Sequence, residues 1–120
     1  MFAGLAACAT PPRVAEQSSP QPPSGVDGRY RGTARLVHAA DRYCPRSGPR
    51  VYEVQGGIVT LSYQGPGRSR VPLTAPIQPD GTFDTSDGEG RLQGRVQDGL
   101  LEMTIASQLC EHRWTMHLIP

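Results

Sequence analysis

Cys44, Cys110 and His112 are the first side chains to weigh, because thiolates and an imidazole are what a zinc ion prefers as ligands. Structural zinc sites draw their cysteines from close pairs, and these two are far apart in the chain, so a disulfide is the simpler expectation and no metal is expected. His112 and His117 are five residues apart on one expected strand, which points them to opposite faces and prevents them from sharing an ion. His38 stands alone. The carboxylates Asp80, Asp84, Asp87 and Glu89 do not follow a calcium loop: counted from Asp84, Gly88 falls on a ligand position and Glu89 falls where glycine is needed. Asp and Gly at that density are turn residues instead. No G-x-S-x-G elbow is present, and Ser47, Ser69 and Ser107 have no neighbouring base in the sequence. Gly65-Pro66-Gly67-Arg68 lacks the Gly-Lys-Ser/Thr ending of a phosphate loop. The expectation is a non-enzymatic protein without a cofactor.

The charge balance narrows the partners. Net charge is +1, which argues against a dedicated nucleic-acid binder, and all twelve basic residues are Arg. Arg29, Arg31 and Arg35 alternate along one segment, and Arg113 lies in the last one. If those segments are neighbouring strands, the four guanidinium groups form a basic patch suited to an anionic envelope polymer or an acidic protein. A solvated face is the plainer alternative. No apolar run approaches the roughly 20 residues that cross a bilayer, so any attachment to a membrane must be by a lipid.

Such an attachment has a candidate. Leu5-Ala6-Ala7-Cys8 resembles the lipobox of bacterial lipoproteins, with an apolar stretch from Phe2 before it and a Pro/Ser/Gln-rich spacer after it. The resemblance implies that Cys8 is lipidated and becomes the mature N-terminus, which anchors the protein in the cell envelope, facing the periplasm. Ala9, not Asp, follows the cysteine, and by the same resemblance this favours the outer membrane. Residues 1–8 read as a truncated signal segment: seven residues precede Cys8 and none is Lys or Arg, short of a charged region plus an apolar core of roughly 7–15 residues. A modified Cys8 accounts for the odd cysteine count and leaves Cys44 and Cys110 to pair in an oxidising compartment.

Residues 9–26 read as a tether. Pro11, Pro12, Pro20, Pro22 and Pro23 stand among Ser and Gln with little to bury, and an extended spacer of this length reaches on the order of 50 Å. The folding unit is then residues 27–120. Period-2 alternation dominates it, and fourteen Gly and twelve Pro punctuate the chain too densely for long helices. Tyr30, Gly32, Ala34 and Leu36 alternate with Arg31, Thr33 and Arg35. Gly56-Gly57 predicts a hairpin between strands at Val51–Gln55 and Ile58–Tyr63. Pro72 and Pro76 make the strand at Arg70–Ile77 an edge or a bulged strand. Short strands follow around Phe83, at Arg91–Val96, at Leu101–Ile105 and at His112–Ile119, the last with Trp114, Met116 and Leu118 inward. Helical turns have room only at 34–43 and 103–110.

The fold class is therefore all-β, an antiparallel meander of seven to eight strands forming a small barrel or sandwich. If the first and last strands are antiparallel neighbours, Cys44, after the first, lies near Cys110, before the last. Two functional classes follow: an envelope interaction or scaffold protein, which includes inhibitor-type lipoproteins by fold analogy, and a small-ligand carrier using the interior. The inward side chains, among them Tyr30, Leu61, Met103, Ile105 and Trp114, are expected to suffice to fill the interior; a packed interior favours the first class and a cavity the second. Trp114 is expected to be a core residue and not a ligand platform.

Overall fold

The computed structural model describes Pro23 and residues 25–120. Cys8, the leader and most of the tether lie outside the described residues. Eight strands make up the domain: β1 (Gly28–Ala39), β2 (Gly48–Val54), β3 (Ile58–Gln64), β4 (Arg70–Pro76), β5 (Thr82–Ser86), β6 (Gly90–Gln97), β7 (Leu100–Ser107) and β8 (Cys110–Leu118). All pair antiparallel. Six form one sheet in the order β2-β1-β8-β7-β6-β5, and β3 with β4 forms a second. β1 and β8 are neighbours, with Ala34 opposite Trp114 and Arg35 opposite Arg113.

The β3–β4 hairpin lies over one face of the large sheet, and the core fills the space between. Alternation decides who enters it. Tyr30 and Ala34 from β1, Leu101, Met103 and Ile105 from β7, and Val59 and Tyr63 from β3 are all buried, while most of their sequence neighbours are more exposed; Gln64, after Tyr63, is an exception and is buried too. Leu118 departs from the expected inward set: it is exposed, because the end of β8 runs past the edge of the core. Trp114 faces inward as expected but is only half-buried. Val26 is also packed into the core, and its carbonyl accepts the Tyr30 hydroxyl at 2.8 Å.

No closed barrel forms; the two sheets make a sandwich. The reason lies in two places where expected ladders stop. At Gly56-Gly57 the tight turn is present, with φ of 64° and 70° and an Ile58 N–H bond to the Gln55 carbonyl. The expected hairpin ladder does not follow it. After the single Gln55–Ile58 bridge, β2 continues in one sheet and β3 in the other. Asp27 holds this crossing point, accepting Gly56 N–H at 2.7 Å and Gly57 N–H at 2.8 Å. The Tyr52 hydroxyl then closes the β3 edge, accepting from Thr60 N–H at 2.7 Å and donating to the Thr60 carbonyl at 3.1 Å.

The second place is β4. Opposed residues in an antiparallel pair exchange either both backbone bonds or neither. Thr60 spends its N–H on Tyr52, so its partner Thr74, and with it Pro72 and Pro76, turns its backbone to the outer edge. Two donors are thereby missing from the edge that would have to meet β5. β4 is an edge strand, as its prolines predict. Among the described residues a single 3-10 turn occurs, at Pro66–Arg68 and not at 34–43 or 103–110.

Candidate functional site

The expected disulfide is present: Cys44 in the β1–β2 loop bonds Cys110 at the start of β8, with Cα atoms 5.6 Å apart. The adjacency of β1 and β8 puts it there, and it fastens a loop that other bonds also hold. The Pro45 carbonyl can only accept, so the 2.7 Å contact with His112 Nε2 places a proton on that nitrogen. Leu36 N–H reaches Ser47 Oγ at 2.8 Å. His112 is buried and His117 exposed on the opposite face, so they do not converge. Among the described residues no cluster of three His, Cys, Asp or Glu is arranged to hold a metal ion.

The four arginines singled out from the sequence are brought to one face. Arg29, Arg31, Arg35 and Arg113 are all exposed on the outer side of adjacent strands, and Arg35 stands directly opposite Arg113. Carboxylates temper the patch: Glu53 is opposite Arg29, and Glu111 lies 3.9 Å from Arg113. This face is solvated.

A second set of polar residues, not anticipated from the sequence, meets on the inner side. Arg50 of β2 belongs to the inward-facing series with Tyr52 and Val54, and it lies opposite Gly32, where no side chain competes for space. Its guanidinium sits 5.8 Å from the centre of the Trp114 ring, and Tyr52 meets that ring edge-on at 6.5 Å. Bonds to the carbonyls of Pro49 at 2.9 Å and Arg46 at 2.7 Å hold Arg50 in place. Across the gap left where β2 and β3 part, Arg70 donates to Gln64 Oε1 at 3.4 Å and to the Ser62 carbonyl at 3.2 Å. Between these groups opens a pocket of about 420 Å³, with Leu61, Ile105 and Trp114 in its wall and Pro45 at its rim.

Two buried polar atoms here have no hydrogen-bond partner among the described residues, the Gln64 amide nitrogen and the Trp114 indole nitrogen. Few native buried donors are left so; both belong to residues around the pocket, but the nitrogens themselves are closed off from its open space. Gln64 is 4% exposed. Tyr63 supplies another part of the wall, and the space its ring needs exists because residue 90 is glycine: a Cβ there would fall inside the ring's contact distance. The Tyr63 hydroxyl donates to Asp87 Oδ2 at 2.6 Å, and Asp87 Oδ1 accepts the N–H groups of Glu89 and Gly90.

The signal that could have pointed to this pocket is the parity of Arg50. A cation alternating with Tyr52 and Val54 on the inward face of a strand is anomalous unless it has something to meet. Nothing local marks Gln64. No protein-family description matches the sequence, no curated protein is significantly similar to it, and no solved structure significantly resembles it.

Proposed function

We propose that this chain is a non-enzymatic binding lipoprotein of the bacterial cell envelope, whose β-domain carries a small ligand between its sheets. In this reading Cys8 bears the lipid, the Pro-rich segment before Val26 holds the domain away from the membrane, and the outer membrane is the favoured site. The observation that carries it is the pocket, about 420 Å³ in volume, with Leu61, Ile105 and Trp114 in its wall and the guanidinium groups of Arg50 and Arg70 among its lining. Ligand sites are concave, largely apolar and furnished with a few convergent polar groups, and this pocket has that composition. Between the two classes expected from the sequence, a cavity favours the carrier.

An interaction or scaffold role is the second reading, supported by the outward Arg35–Arg113 pairing. Anionic polymers or an acidic envelope protein suit such a face, with salt-dependent encounter. Native mass spectrometry of the full chain released from its own envelope separates the two. A small-molecule adduct on the wild type, lost in Ser62→Phe, is the expected result, since Ser62 lines the pocket but lies outside the core cluster. The carrier reading fails if no adduct is found and a captured partner is lost instead on changing Arg35 and Arg113 to Glu.

A further inference from the structure

We infer that the pocket takes a small amphiphilic carboxylate, with its head held by Arg50 and Arg70 and its apolar part against Leu61, Ile105 and the Trp114 ring. This rests on the carrier reading above and adds the chemical class of the ligand.

The charge of the lining decides that class: Arg50 and Arg70 both line the pocket and no Asp or Glu does. Neither arginine joins an ion pair among the described residues; their bonds go to the carbonyls of Arg46, Pro49 and Ser62 and to the Gln64 side-chain oxygen. Neutral acceptors fix the guanidinium groups in place without neutralising them. Two cations beside an apolar wall, with no carboxylate among the lining, favour an anion over a cation. A carboxylate offers about four lone-pair directions to these converging donors, and charge-assisted bonds to it are the strong kind. The apolar wall and the volume exclude a bare ion or a polymer and fit a short acyl or aromatic body.

Trp114 is the only tryptophan, so its emission reports the pocket directly. The full chain carrying Cys8→Ser, which needs no detergent, is titrated with octanoate, with its neutral isostere octanamide, and with octylamine, and heats are read alongside. Octanoate is expected to bind at least about tenfold more tightly than octanamide, and octylamine not to bind. Arg50→Gln and Arg70→Gln should each weaken octanoate about tenfold and leave octanamide unchanged. Equal affinity for octanoate and octanamide, or tighter binding of octylamine, overturns the carboxylate and leaves the carrier reading standing. No response to any of the three overturns both.

Discussion

The bond from Tyr63 to Asp87 changes how both groups titrate. It is the main cause holding the Tyr63 phenol up at about 12, with burial and the charges of Asp87 and Glu89 adding to it. The same bond, followed by the N–H groups of Gly90 and Glu89, holds the Asp87 carboxyl below its ordinary range. The two shifts act at opposite ends of the pH scale. A carboxylate with a depressed folded value adds stability that is complete above the unfolded value of 3.8 and is lost as pH falls through the folded one. A phenol with a raised folded value adds stability that is complete below the unfolded value of 10.0 and is lost as pH rises towards about 12. One substitution should therefore alter both limbs: Asp87→Asn is expected to remove this contribution from the acid limb and to shrink the alkaline one. Urea melts over a pH series check this, and parallel curves for the two proteins would contradict it. Asp80 and Asp84 are also depressed, by Thr82 and by Arg91 respectively, so acid sensitivity below about pH 4 persists in the variant.

At the scale of elements, the β1–β2 loop is where stability and the pocket meet. The Cys44–Cys110 bond closes a chain separation of 66 residues, and in the chain-entropy model a crosslink of that length stabilises by roughly 4 kcal/mol. A domain of about 95 residues has only some 5–15 kcal/mol in total, so reduction should lower the melting temperature sharply. The rim residue Pro45 is held a second time, by His112, and Ser47 by Leu36 N–H. Reduction is therefore expected to destabilise the whole domain without erasing the β spectrum at low temperature. Circular dichroism with and without a thiol, with Cys44→Ala/Cys110→Ala as control, measures it; a melting temperature unmoved by reduction would contradict the prediction. The β3–β4 element shows the complementary device, with Tyr52 closing one of its edges and Pro72 and Pro76 withholding donors from the other.

For the whole molecule, the proposal joins three parts with different physics: a lipid, a tether and a binding domain. A single acyl chain gives only marginal membrane attachment, so a lipidated N-terminal cysteine of this class must carry more than one. Metabolic labelling with a palmitate analogue should mark the wild type, expressed behind a full-length signal, and not Cys8→Ser. Equal labelling of both would remove the anchor and the envelope address together. The binding domain would keep its pocket, since every residue argued to form it lies at or beyond residue 32.

How much of this was legible depended on how local each determinant is. Strand positions followed from the alternation of residues such as Tyr30, Ala34, Met103 and Ile105, because the period of a strand acts on each side chain independently of its partner strand. The edge character of β4 followed from Pro72 and Pro76, and the disulfide from the order of Cys44 and Cys110 along an antiparallel chain. Gly56-Gly57 correctly marked a tight turn and wrongly implied a hairpin ladder. A turn sets the direction of the chain over a few residues, whereas the sheet a strand joins is set by the packing of the whole core. The pocket was illegible for the same reason. Arg50, Gln64, Arg70 and Trp114 come from four strands in two sheets, and they meet because β2 and β3 part while Gly32 and Ala34 leave room between them. Alternation by itself determined which residues turn inward; only tertiary packing decided that some of them would line a pocket and others a core, because burial depends on what the opposite sheet brings to each position.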